Sequence, residues 1–69
     1  MRDGEFLKHV GGKVKAARIS KGITVRALGE LCKMDYSNLS RFENGQHGIN
    51  VLTLKRISEQ LNVEIKDLL

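Results

Sequence analysis

The apolar residues of this chain recur at helical spacing in short segments that are bounded by glycine, asparagine and residues that cap helices. There is no proline and no sustained alternation of apolar and polar residues, the pattern typical of strands. The sequence therefore predicts an all-α fold, a compact bundle of five short helices. We expect these helices at about Glu5–Lys21, Val25–Cys32, Tyr36–Asn44, Val51–Gln60 and Ile65–Leu69.

Capping residues set these boundaries. Thr24, Asp35 and Asn50 carry the side-chain oxygens that accept hydrogen bonds from the first free amide groups of a helix. The expected stop signals, able to take a left-handed conformation, are Gly22, Gly45 and Asn62. The residues expected to line the core along these helices are Leu7, Val10, Val14, Ala17, Leu28, Leu31, Cys32, Leu39, Phe42, Leu54, Ile57 and Leu61.

A chain of 69 residues has room for one domain with a small core, and we expect residues 1–69 to form it. Cys32 is the only cysteine, so no internal disulfide can form. His9 and His47 lie far apart without cysteines at zinc-site spacing, so we expect no metal. Helix packing and self-association remain as sources of stability. A lone thiol in an apolar stretch is typical of a reduced, cytoplasmic protein, and neither a signal peptide nor a membrane span is expected.

The net charge of +4 is spread unevenly along the chain. Residues 1–26 contain seven Lys or Arg and two acids, whereas residues 27–69 contain five and six. A small basic domain favours a polyanionic partner, although charge alone is weak evidence. The three aromatic residues are fewer than the base-stacking surfaces for RNA or single strands use, which argues mildly against those two modes of binding.

The second and third predicted helices are very short and are joined by a tight turn at Lys33-Met34. Two such helices inside a compact bundle form a helix-turn-helix, here at about residues 24–44, whose second helix contacts base edges in the major groove. The two helices must approach each other closely, which calls for a small residue on the first of them. Gly29 is that residue.

The segment from Val10 to Leu69 resembles the Cro and phage-repressor (XRE) family of helix-turn-helix regulators. The matching residues are Gly11, Val14, Arg18, Lys21-Gly22-Ile23-Thr24, Leu28, Met34, Leu39-Ser40-Arg41-Phe42-Glu43-Asn44-Gly45, Thr53-Leu54, Ile57, Leu61, Val63 and Asp67-Leu68-Leu69. The resemblance implies a lambda-repressor-like domain of five helices that binds a two-fold-symmetric operator as a homodimer, most often as a repressor. It also implies an ion pair between Arg18 and Glu43, which would otherwise be two solvated surface charges.

Through this resemblance, DNA contacts are assigned to individual positions. Base contacts fall on Tyr36, Ser37, Ser40 and Arg41. Arg41 suits a bidentate bond to guanine but equally a phosphate contact or plain solvation, and Tyr36 suits a thymine methyl group, a phosphate or a half-buried surface position. Phosphate contacts fall on Thr24, Asn44, Gln46 and Asn50, although capping alone explains Thr24 and Asn50. Asn38 is at best a further phosphate contact, and Arg26 is a phosphate candidate through its charge only. Independently of the family, the C-terminal apolar residues suggest a dimer contact through Leu52, Ile65, Leu68 or Leu69.

Three positions depart from the family pattern. Val25 replaces a common glutamine and cannot make its hydrogen bonds, so that contact is expected to be lost. Lys33 replaces the usual turn glycine, and a left-handed conformation there would cost about 1–2 kcal/mol. Ile49 replaces a frequent proline, so it can serve packing or the dimer contact instead.

Catalysis is not expected. The sequence contains no glycine-rich phosphate loop, no cluster of metal ligands and no nucleophile–base set, so we expect neither an enzyme nor a cofactor. The alternative to a DNA-binding regulator is a protein-interaction module of antitoxin type, in which the same fold binds a protein and DNA binding is secondary.

Overall fold

The structure, a computed structural model, describes residues 1–69 and contains four α-helices. They are α1 (Asp3–Ser20), α2 (Val25–Leu31), α3 (Tyr36–Glu43) and α4 (Val51–Leu61). There is no strand, which confirms the predicted all-α fold. The fifth predicted helix is instead a 3-10 turn at Ile65–Leu68, in which the Asp67 amide bonds to the Glu64 carbonyl three residues back. None of the helices combines the length and the apolar character needed to cross a membrane.

The three predicted N-caps are confirmed. The Thr24 hydroxyl accepts a hydrogen bond of 3.1 Å from the Ala27 amide at the start of α2. The Asp35 carboxylate accepts a bond of 2.8 Å from the Ser37 amide at the start of α3, and the Asn50 carboxamide oxygen accepts one of 2.8 Å from the Thr53 amide. Since α2 and α3 have only seven and eight residues, they depend on these caps and on their neighbours for stability.

All four helices end in the same way, with a left-handed residue and two hydrogen bonds that close the last turn. The left-handed residues are Gly22, Lys33, Gly45 and Asn62. At the end of α2, the Lys33 amide bonds to the Glu30 carbonyl at 3.2 Å and the Met34 amide bonds to the Gly29 carbonyl at 2.9 Å. Lys33 has a φ of 55°, so a side chain is held where glycine is favoured.

One continuous core lies between the helices. Its buried apolar residues are Val10, Val14, Leu28, Cys32, Leu39, Phe42, Leu54, Ile57, Leu61 and Leu68. The prediction for Leu31 is wrong, because this side chain is exposed. Leu28 and Cys32, four residues apart, share the core-facing side of α2, and Leu31 lies about 100° around the helix from Cys32.

Gly11 lets α1 lie directly on the end of α3. A Cβ atom at this position would overlap the Phe42 carbonyl oxygen and would lie 2.9 Å from the Glu43 carbonyl oxygen. Gly29 has the predicted, looser role between α2 and α3, since its Cβ would lie 3.1 Å from the Met34 carbonyl oxygen and from the Tyr36 Cβ. The backbone of α3 is therefore contacted closely on two sides.

We expect Gly11→Ala to destabilise the protein by about 1–3 kcal/mol, because the added methyl group forces two backbones apart. The matched control is Gly12→Ala, one residue further along α1, where a Cβ meets nothing within 4 Å. That change should stabilise the protein by about 0.5–1 kcal/mol through the helix preference of alanine. Urea unfolding measures both, and equal effects of the two substitutions would contradict the proposed close packing.

Lys33→Gly should raise the free energy of unfolding by about 1 kcal/mol, because it relieves the left-handed strain at this position. The greater conformational entropy that glycine gives the unfolded chain offsets only part of this gain. Lys21→Gly is the control, since Lys21 also follows a helix but has a right-handed φ of −89°. Glycine there should lower stability. Thermal or urea unfolding of the two variants gives the signs, and a loss of stability in Lys33→Gly would rule out the strain.

Candidate nucleic-acid interface

The two sides of α3 differ in burial. Leu39, Phe42 and Glu43 are buried against the rest of the molecule. The residues to which base contact was assigned lie on the other side: Tyr36, Ser37 and Arg41 are exposed, and Ser40 is half-buried. The helix therefore presents an open polar surface that begins at its N-terminal end.

Arg41 is held along this surface by a neighbour on the same helix. Its Nη1 donates a hydrogen bond of 3.2 Å to Asn38 Oδ1, one turn earlier. Both side chains are exposed, so the remaining guanidinium N–H groups are open to solvent. A guanidinium in this state can bond to a guanine or to a phosphate, since both accept two parallel N–H groups.

Arg26 of α2 and Tyr36 of α3 meet across the turn between the two helices. The guanidinium carbon of Arg26 lies over the ring, 5.1 Å from its centroid, in a cation–π contact. The ring is 44% exposed. Sequence reasoning assigned separate contacts to these two residues, and the structure places them together.

Four further phosphate candidates lie at helix ends. Thr24 and Asn50 are exposed, and their side-chain oxygens accept the capping bonds of α2 and α4. Asn44 and Gln46 are exposed just after α3, and their backbone amides bond to the Ser40 and Arg41 carbonyls. Because these two backbone amides are already used, Asn44 and Gln46 can donate to a phosphate only through their side chains.

The Arg18 side chain connects three parts of the fold. Its Nε and Nη2 donate to Glu43 Oε2 and Oε1 at 2.8 and 3.0 Å, and its Nη1 donates to the Ile23 carbonyl at 2.7 Å. The side chains of Arg18 and Glu43 are 12% and 4% exposed. The pair therefore joins the end of α1, the turn before α2 and the end of α3.

Not all of the residues assigned to a dimer contact are exposed. Leu68 is 1% exposed and belongs to the core, so its assignment to a dimer contact is wrong. The 3-10 turn packs against α1 and α4, which turns Leu68 inward and leaves Ile65 half-buried. Leu52 and Leu69 are 64% and 50% exposed.

The three positions that depart from the family pattern have distinct surroundings. Val25 and Ile49 are half-buried and pack against the core. Ile49 also lines a small apolar cleft together with Phe6, Leu54 and Leu69. Lys33 is left-handed as described above, so lysine occupies a glycine conformation there.

Cys32 has the properties of a core residue. It is buried, and this burial raises the pKa of its thiol, while the charge of Arg56 nearby acts in the opposite direction and is the smaller effect. The thiol therefore stays protonated at neutral pH. Since the thiolate is the reactive form, neither its exposure nor its pKa suits a redox sensor.

Comparison of the sequence with protein families agrees with the helix-turn-helix geometry described above. A model described as helix-turn-helix, HTH_3, matches residues 14–68. The chain belongs to this helix-turn-helix family, which is of the XRE/Cro type. Two HTH-type transcriptional regulators, from Sinorhizobium medicae and Rhizobium meliloti, are each 28% identical over 57 residues, covering 83% of this chain and 41% of the relative. The chain thus spans about two fifths of the length of the curated relatives it matches.

Solved helix-turn-helix structures have the same fold. The restriction-modification controller protein C.AhdI from Aeromonas hydrophila superposes with a TM-score of 0.90 at 23% identity, over 94% of this chain and 98% of that one. The clp gene regulator ClgR from Corynebacterium glutamicum gives a TM-score of 0.87 at 24% identity, over 90% of this chain and 66% of that one. At these identities the likeness shows the fold.

Three features of this helix-turn-helix chain escaped the sequence analysis. Gly11 carried no expected packing role, although a glycine inside a helix stripe is a usable signal of close approach. The Arg26–Tyr36 contact joins residues ten positions apart in different helices, and no local pattern indicates it. His9 Nε2 lies 2.6 Å from the Leu69 carbonyl oxygen, a long-range contact that has no sequence signal either.

Proposed function

We propose that this protein is a transcription regulator that binds double-stranded DNA in a sequence-specific manner, as a homodimer on a two-fold-symmetric operator. The observation that carries the proposal is the division of α3, whose apolar side is buried while its side with Tyr36, Ser37 and Arg41 is open. A recognition helix needs this arrangement, because it must pack on its neighbours and enter the major groove at the same time.

The surroundings of α3 support the same function. Four exposed polar residues lie before α2 or after α3 in the sequence, and we propose that they contact phosphates. They are Thr24, Asn44, Gln46 and Asn50. The excess of basic residues in positions 1–26 favours a polyanion. The relatives are named HTH-type transcriptional regulators, and the matched C.AhdI is named a restriction-modification controller protein. We propose that residues 1–69 act together as one such unit, in the cytoplasm.

The dimensions of the molecule suit two copies on adjacent turns of a duplex. Its principal extents are 30 × 23 × 21 Å. Two recognition helices of a dimer must lie about 34 Å apart to enter successive major grooves on one side of the duplex. Two copies in side-by-side contact can reach this spacing. We propose that Leu52 and Leu69, with part of Ile65, form the contact between them.

Repression is the proposed outcome of binding. A domain that occupies an operator overlapping a promoter prevents the polymerase from binding the same DNA. Repression needs no contact beyond the DNA-binding surface and the dimer contact, whereas activation needs an additional surface for the polymerase.

Selection of bound sequences from random duplex DNA tests the function directly. The expected result is an inverted repeat whose half-site centres lie about 10–10.5 base pairs apart, bound more weakly as salt rises. We expect Arg41→Ala to weaken specific binding by about 1–3 kcal/mol and to relax the preference at one base pair of each half-site. Fluorescence anisotropy with selected and altered duplexes measures both effects.

Two controls accompany Arg41→Ala. Arg41→Lys keeps the charge but loses the planar fork, so it should keep most non-specific affinity and lose the base preference. Lys66→Ala removes an exposed charge on the 3-10 turn, which packs on α1 and α4, and should leave the preference unchanged. Failure to enrich any duplex at low salt would contradict the proposed function and would favour the protein-interaction module.

A further inference from the structure

The contact between Arg26 and Tyr36 lies at the N-terminal end of α3, where the open surface begins. The guanidinium carbon lies over the ring, 5.1 Å from its centroid. On the same side of α2, one turn after Arg26, the backbone at Gly29 approaches the Tyr36 Cα and Cβ so closely that an added Cβ would lie 3.1–3.2 Å from them. Residues of α2 thus contact both the base of the Tyr36 side chain and one face of its ring, and part of the ring remains exposed.

The Arg26 guanidinium can contact an aromatic ring and donate hydrogen bonds at the same time. A planar guanidinium that stacks on a ring uses its face, and its N–H groups at the edge remain free to donate. No ion pair within the protein involves Arg26. Arg26 can therefore bond to a phosphate while it holds the ring of Tyr36.

We propose that Arg26 is a positioning residue for Tyr36, and that through this ring it contributes to the choice of one base pair in addition to any phosphate contact. The proposal rests on the proposed function, because it assigns a specificity role within the same DNA-binding surface. It also gives α2 a part in sequence preference.

A positioning role and a phosphate contact predict different results. An Arg26 that only bonds to phosphate lowers affinity equally for all sequences, whereas a positioning residue changes the ratio of affinities for two duplexes that differ under Tyr36. An exposed cation–π contact is worth about 0.5–1 kcal/mol, which is about a two- to fivefold change in that ratio. Arg26→Lys separates the two roles, since lysine keeps the charge and loses the planar stack.

The test is a double-mutant cycle on the full chain with Arg26→Lys and Tyr36→Leu. The base pair is the one whose preference Tyr36→Leu reduces in selection from random duplexes. Arg26→Lys should lower the affinity ratio at that base pair about two- to fivefold in the wild-type background, and should leave it unchanged in the Tyr36→Leu background. Lys66→Gln removes an exposed charge on the 3-10 turn, which packs on α1 and α4, and should leave the ratio unchanged in both backgrounds.

A second measurement follows the ring itself. Tyr36 is the only tyrosine, so 3-fluorotyrosine labelling gives a single fluorine NMR resonance. Arg26→Lys should shift this resonance in the free protein, and Lys66→Gln should not. Unfolding of each variant by urea checks that the variants remain folded, which is expected because both exchanged side chains are exposed.

Several outcomes would overturn the inference. They are an affinity ratio that Arg26→Lys leaves unchanged, an equal loss in both Tyr36 backgrounds, or a Tyr36→Leu variant with no altered base preference. In each of these cases the wild-type protein still selects a sequence, so the proposed function stands. If the wild-type protein selects no duplex sequence, the proposed function itself is contradicted, and the inference, which rests on it, is contradicted as well.

Discussion

The bidentate bond between Arg18 and Glu43 joins the C-terminal end of α3 to the end of α1. The orientation of the open surface of α3 depends on this bond. Both side chains are largely removed from water, and the third Arg18 donor reaches the Ile23 carbonyl in the turn before α2. An ion pair buried in this way is costly to break, about 3–5 kcal/mol in the fully buried limit, because the remaining charge stays without a partner. The direct contact of Gly11 with the backbone at Phe42 and Glu43 adds a steric constraint at the same place.

These constraints act at the C-terminal end of α3. The N-terminal end of α3 is held instead by contacts with α2. Helices of seven and eight residues are unstable in isolation, so α2 and α3 keep their positions through caps, close backbone contact and the shared core. The result is a short helix that is fixed at one end by an ion pair and at the other by Gly29 and Arg26. A helix held at both ends can present side chains to a groove without first becoming ordered, which lowers the entropic cost of binding.

Much of this architecture could be predicted from the sequence, because its signals are local. Caps such as Thr24 and stops such as Gly45 act within a few residues of themselves, and the apolar spacing indicates which side of each helix is buried. What escaped prediction depends on how the helices pack against one another. Helical spacing placed Leu31 in the core, and the number of C-terminal apolar residues suggested Leu68 for a dimer contact. The packing of the neighbouring helices decides the opposite in both cases, because Leu31 is exposed and Leu68 is buried. The candidate site divides in the same way, since single positions could be assigned by resemblance but the Arg26–Tyr36 contact could not.

The most direct test of the central claim is to measure intermolecular NOEs between the protein and a duplex chosen by selection. The claim is that the open side of α3 enters the major groove while its other side stays in the core. It predicts NOEs from Tyr36, Ser37 and Arg41 side chains to major-groove protons of the bases, such as cytosine H5 and thymine methyl protons, in both half-sites. A specific complex in which these side chains show no NOEs to base protons, with contacts made by another surface instead, would contradict it.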